Sequence, residues 1–260
     1  MCIIYRYEYF IVHFNIEKIY SRLIKMKINE LKQDLAAAFR WTARLNMNEG
    51  IANHFSVCLP NSNDFYVNGS GLHFASIKAS DMVLVEQDKI NEIKKRPELV
   101  DPTALNIHGA IHKKVPHARC ILHVHSKYAT ALSTLKNPVL KPIDQNTMRF
   151  YNRVSVHNDF GGLGFEEESN KMASAIGNNR SLLLANHGIL TLGQTVAEAF
   201  DELYYFERAC ETYITALSTN QELNIVSSEV AEKTAQEWDC LLYTSPSPRD
   251  QRGSRMPWSA

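Results

Sequence analysis

Ile121-Leu122-His123-Val124-His125-Ser126 is the stretch on which the reading of this chain turns. Its apolar residues favour a β-strand, and side chains alternate between the two faces of a strand. The imidazoles of His123 and His125 therefore share one face, while Val124 points to the opposite layer. Two imidazoles on one face can share a metal ion. Neutral imidazole suits zinc and other late divalent ions, and a catalytic centre commonly takes three protein ligands and keeps one position open. His187 is the candidate for the third. It ends the apolar run Leu182-Leu183-Leu184 and precedes Gly188, which lets the backbone turn tightly beside a ligand. A lone histidine at a strand end is more often a hydrogen-bonded core residue, but three in strand contexts, two of them on one face, favour a metal site.

Outward from this strand the chain alternates between strand and helix patterns. His54–Leu59 and Phe65–Val67 read as strands around the polar turn 61–64, and Met82–Val85 as a third. Asp101-Pro102-Thr103 starts a helix with its proline early and Leu105, Ile111 and Val115 inward. Lys127–Thr134 reads as a helix, Ser181–Leu184 and Ile189–Leu192 as strands. A long last helix opens on a Thr195/Glu198 capping box, with Val196, Phe200, Leu203, Phe206, Cys210, Tyr213 and Leu217 at helical spacing. Its aromatic residues Tyr204, Tyr205, Phe206 and Tyr213 are expected to pack the helix, and Trp41 to lie in the core. Strands interleaved with helices predict an α/β layered domain. His108 and His112, four apart on the 101–115 helix, form a second histidine pair that could also bind a metal. Gly109 stands where a zinc-protease helix carries its glutamate. His54 and His73 fall at strand or loop edges, which admit substrate contact but where solvation is the stronger expectation.

The 260 residues carry 28 Lys+Arg against 28 Asp+Glu, so no broad field draws the chain to nucleic acid or anionic lipid, and a small ligand is the better expectation. The five cysteines (Cys2, Cys58, Cys120, Cys210, Cys240) show neither framework spacing nor a Cys-x-x-Cys pair, which fits a reducing, cytoplasmic setting. Residues 1–27 read as an upstream extension. Arg6, Glu8 and His13 interrupt its apolar run, and no small-residue cleavage site follows, which argues against a signal peptide. The domain spans 28–220 and begins at a helical face of Ile28, Leu31, Leu35, Ala38, Phe39, Thr42 and Leu45; a C-terminal segment follows over 221–240. Residues 241–260 are rich in breakers and read as a disordered or non-native tail.

The ordered motifs resemble a known family. Asn53-His54-Phe55-Ser56, Ser70-Gly71, Ser80-Asp81-Met82-Val83, the His-x-His strand and Asn186-His187-Gly188 resemble the class II aldolase/adducin family, over residues 28–220. The resemblance implies a three-layer α/β/α fold around a mostly antiparallel sheet, assembled as a homotetramer with active sites at subunit interfaces. It implies a divalent ion, zinc foremost, held by His123, His125 and His187. It also implies metal-stabilised enediolate chemistry on a small hydroxy-carbonyl or sugar-derived substrate. The family holds sugar-phosphate aldolases, a pentose-phosphate 4-epimerase, dehydratases, decarboxylases and the non-catalytic adducin head. Asn53, Ser70, Gly71 and Thr103 would contact the substrate.

One departure matters. The aldolases' acid-base carboxylate corresponds here to Ala104, and their Ser-Ser pair becomes Pro102-Thr103, which weakens the case for a phosphorylated substrate. His108, Asp101, Asp144 or a tyrosine of a neighbouring subunit would have to move the proton. Two readings follow, a metal-dependent lyase and a non-catalytic adducin-like binding module. An adducin-like scaffold would be expected to carry a long basic tail, whereas 222–238 is a short segment.

Overall fold

The structure is a computed structural model that describes residues 4–162 and 164–244. Helix α1 runs over Ile4–Arg44, so the periodic face from Ile28 is the second part of one longer helix. It ends in a left-handed cap at Asn46, whose φ is 55°. There the Asn46 and Met47 N–H groups return to the carbonyls of Ala43 and Thr42, the paired closure of a Schellman motif. Leu35, Ala38, Phe39 and Thr42 face inward as their spacing predicts. Trp41 does not: it is 51% exposed, because it falls outside that stripe on the flank of the helix.

Strands β1 (His54–Cys58), β2 (Phe65–Asn68) and β3 (Met82–Val85) form an antiparallel meander. Helix α2 (Ile90–Ile93) and helix α3 (Pro102–Lys114) follow, then β4 (Cys120–Val124), α4 (Lys127–Ser133) and α5 (Gln145–Arg149). The chain continues through β5 (Val154–His157), α6 (Glu166–Ala175), β6 (Ser181–Leu184), β7 (Gly188–Gly193), α7 (Val196–Ser218) and α8 (Ser228–Thr244). Among the described residues the strands join one seven-stranded sheet in the order β3-β2-β1-β4-β7-β6-β5. Every neighbouring pair is antiparallel except β5–β6.

The pleat sorts the core into two sides. Phe55 and Val57 of β1 and Cys120, Leu122 and Val124 of β4 pack with α1, α4 and α7. Ile121 of β4 and alternate residues of β6 and β7 pack with α3 and α6, and Cys58 with the start of α3. This is the expected α/β/α layering around a mostly antiparallel sheet. Elements α2, β5, α5, α6 and α8 were not anticipated. Helix α8 covers most of the 221–240 segment and continues to Thr244, into the first four positions of the breaker-rich tail; residues 245–260 lie outside the described residues. The capping box of α7 is displaced. Thr195 accepts from the Glu198 N–H as predicted, but the Glu198 carboxylate accepts from the Gln194 N–H rather than that of Thr195. No described helix is long and apolar enough to cross a membrane.

Candidate metal centre

Strand β4 pairs with β7 so that His123 lies opposite Leu190 and Val124 opposite Ile189, and β6 turns directly into β7 through Ala185, Asn186 and His187. The turn is made by Asn186, which takes the left-handed conformation at φ 55°, and it closes with the His187 N–H donating to the Leu184 carbonyl. Gly188 serves a different end from the one its position suggests. A Cβ there would come 2.5 Å from the Val124 carbonyl oxygen and 3.0 Å from His125 Cδ2, so only glycine lets the turn press against the His-x-His strand.

The result is convergence of three imidazoles. One ligating atom from each of His123, His125 and His187 lies within 4.8 Å of the others. The ring centres are 4.9 Å apart for 123–125, 4.9 Å for 123–187 and 4.7 Å for 125–187. His123 is buried, and the other two are half-buried. His123 Nδ1 donates to the Ile189 carbonyl at 3.0 Å, which leaves its Nε2 as a lone pair, 3.1 Å from His125 Nε2. Backbone anchoring of this kind holds a ligating ring in one tautomer and orientation. The buried Nδ1 of His187 has no hydrogen-bond partner among the described residues, a costly state for a polar atom left unpaired.

Electrostatics keeps these rings neutral, the form that ligates. Burial, with the neighbouring imidazoles His54, His187 and His125 adding to it, holds His123 well below the usual histidine range. Burial lowers His125 as well. His187 is lowered to about 4 by burial and by His125, against an opposing pull from Glu168. The donor set, its anchoring and its neutrality all fit a divalent ion.

The end of β4 is clamped by residues that sequence reasoning missed. Glu207, buried on α7, accepts from the Ser126 hydroxyl at 2.6 Å and from the Tyr128 and Ala129 N–H groups at 2.9 Å each. A carboxylate at the start of α4 meets both the free N–H groups and the positive end of the helix dipole. Glu168 on α6 accepts from His157 Nε2 at 2.8 Å and from the Gly161 N–H at 3.2 Å. Burial pushes its carboxyl up, but these two donors outweigh it and hold the group below the ordinary range. Its influence on His187 places a negative charge near the triad. No short-range motif signals either carboxylate.

A second group of histidines lies under α3. His54 of β1 is the cross-strand partner of His123, so both project from the same face. His54 is 4% exposed, which corrects the expectation of a solvated edge: β4 and α3 cover it. Its Nδ1 is 2.6 Å from His108 Nε2; His108 Nδ1 is 2.5 Å from Ser56 Oγ, which is 2.7 Å from His112 Nε2. His112 Nδ1 donates to the Ala118 carbonyl at 2.7 Å. His108 is thus fully buried with both ring nitrogens engaged. His73 is exposed, as expected.

The other predicted site residues are dispersed. Asn53 is buried at the mouth of β1, accepting from the Glu49 N–H at 2.6 Å and weakly from the His125 N–H at 3.5 Å. Thr103 spends its hydroxyl and N–H on Asp101 Oδ1, and Asp101 raises the His54 pKa, which puts it within electrostatic reach of that ring. Ser70 donates its N–H to the Leu99 carbonyl, and Gly71 turns at φ 72°. Asp144 caps α5, accepting from the Thr147 N–H. Ala104 is buried in an apolar cluster with Phe65, Val67 and Leu105.

The family model of the class II aldolase and adducin N-terminal domain matches residues 33–214. The meiotically up-regulated gene 14 protein of Schizosaccharomyces pombe is 34% identical over 180 residues, 68% of this chain and 69% of that protein. Decarboxylase NovR of Streptomyces niveus is 28% identical over 210 residues, 80% of this chain and 77% of its own length. The solved structure of L-fuculose 1-phosphate aldolase from Glaciozyma antarctica superposes with a TM-score of 0.72 at 29% identity, covering 82% of this chain and 83% of that one. Sequence match and fold agree, and the chain belongs to the class II aldolase and adducin N-terminal domain family.

Proposed function

We propose that this protein is a metal-dependent lyase-type enzyme, acting on a small hydroxy-carbonyl or sugar-derived substrate through an enediolate. The observation that carries the reading is the convergence of His123, His125 and His187, neutral and anchored, with two of the three half-open to solvent. A divalent ion there, zinc foremost, would supply positive charge against the negative charge that develops on a substrate oxygen as a C–C or C–H bond breaks. The chain's own residues do the rest. Ile189 and Asn53 hold the His-x-His strand end, and Glu207 fixes the helix that follows it. Among the described residues, Glu168 acts electrostatically on His187 and Asp101 on His54, and these carboxylates are the candidates to move a proton in place of the one missing at Ala104. His108 supports rather than contacts the substrate, since it is fully buried with both nitrogens engaged.

The family likeness to an aldolase and a decarboxylase supports this reaction class, and a cytoplasmic homotetramer belongs to the same reading. The test is elemental analysis of purified protein, joined to a screen of short hydroxy-acids, ketoses and aldehydes with and without chelator. The expected result is one transition ion per chain and chelator-sensitive cleavage or decarboxylation that His123→Ala abolishes. Metal-replete protein that turns over nothing in the panel would instead favour the non-catalytic, adducin-like module.

A further inference from the structure

The histidines under α3 form a chain with a direction. A carbonyl oxygen can only accept, so at 2.7 Å from the Ala118 carbonyl His112 Nδ1 must carry the proton. Burial lowers His112 to about 3, so the ring is neutral and its Nε2 can only accept. The Ser56 hydroxyl therefore donates to His112 Nε2, and with its one proton used it must accept from His108 Nδ1. His108, also kept neutral by burial, then has a bare Nε2, which accepts from His54 Nδ1. Each assignment forces the next, and the last puts a proton on His54 Nδ1; burial keeps that ring neutral, which leaves a lone pair on Nε2. Cys58 Sγ, 3.1 Å from His112 Nδ1, shares that same N–H as a weak acceptor and does not alter the order.

The two nitrogens of an imidazole point apart, so His54 Nε2 is turned from His108. It makes no hydrogen bond among the described residues. The His54 ring lies 4.9 Å from that of His123, and His125 and His187 both act on its charge.

We propose that the relay Ala118–His112–Ser56–His108 fixes the tautomer of His54 so that its Nε2 accepts the hydroxyl hydrogen of a hydroxy-carbonyl or hydroxy-carboxylate ligand bound at the triad. Ser56, His108 and His112 are positioning residues, and His54 is the group that touches the ligand. The ligand role rests on the metal-centre reading, whereas the tautomer does not.

Nitrogen-15 NMR of histidine-labelled, metal-free protein tests the first part, with the His54 signals identified by their loss in His54→Gln. The expected spectrum has a pyrrole-type Nδ1 and a pyridine-type Nε2 on His54. In Ser56→Ala that preference is lost and both forms appear, and Ser56→Thr, which keeps the hydroxyl, restores it. Finding the proton on Nε2 in the wild type, or an unchanged tautomer in folded Ser56→Ala, overturns the proposal. The wild-type spectrum alone suffices if a variant does not fold. For the second part, glycolate added to the zinc-loaded protein should shift the His54 Nε2 signal while acetate, lacking the hydroxyl, leaves it in place. Zinc bound at the triad with no glycolate shift overturns the acceptor role. Failure of zinc to perturb His123, His125 and His187 overturns the metal centre and with it the ligand role, but leaves the tautomer result standing.

Discussion

The molecule holds two clusters of histidine on one face of its sheet, and they differ in what their nitrogens meet. In the cluster of His54, His108 and His112, the rings are almost wholly covered, and every nitrogen but one finds a partner inside the protein. In the triad, His123 Nε2 faces another ring nitrogen, and the buried His187 Nδ1 has no hydrogen-bond partner among the described residues. Residue type alone does not separate a ligand set from a structural network. The tally of unsatisfied lone pairs does, because a buried polar atom is stable only when paired.

The sharpest way to break the contrast is His123→Ala. Metal uptake should be lost, and turnover of any substrate found should fall by about a thousandfold or more, since a metal ion contributes several kcal/mol of charge stabilisation. A cooperative melt should persist in circular dichroism. Unchanged metal content in the variant would assign the ion elsewhere.

A second test uses acid. Burial lowers His54 and His112 to about 3, whereas the unfolded chain titrates near ~6.5. Above ~6.5 neither state binds the proton and there is no effect; below it the unfolded state binds protons the folded state refuses. Stability of the metal-free protein should therefore fall as pH drops from about 6.5 toward 3, by up to ~1.4 kcal/mol per pH unit for each such histidine. Denaturant melts at pH 7.5, 6 and 5 measure the slope, and His112→Phe should flatten it by about one proton. An identical slope in that variant would mean His112 is not the buried, neutral ring described here.

Two smaller effects concern how the triad is held. Gly188→Ala must displace backbone at Val124, which is costly overpacking, on the order of 1–3 kcal/mol in a thermal melt. Glu207→Gln keeps an oxygen but loses the charge facing three donors, for about 1–2 kcal/mol and up to ~10-fold in zinc affinity by titration calorimetry.

These contrasts also mark what could be read in advance. The layered fold and the shared face of His123 and His125 follow from period-two and period-3.6 patterns that local sequence displays, and His187 from the apolar run it ends. The His54 network was invisible, because it exists only once β1 pairs with β4 in the register that sets His54 against His123. Glu207 was missed for the same reason, since it acts on an element distant in the chain, and Glu168 because no motif marks the loop that brings it back to His157 and Gly161. Strand β5 is four residues long and half-buried, too short to show alternation, and Trp41 was misplaced by residue type when its position on α1 already told against it.

The bond from His123 to the Ile189 carbonyl joins groups 66 positions apart. Contacts of such separation form late, after the loop between them has closed. If the triad takes a cation, its uptake would be a clock for assembly: during refolding, a nascent helix or hairpin would not hold all three imidazoles together, and the moment of capture would report that the middle of the sheet has zipped shut.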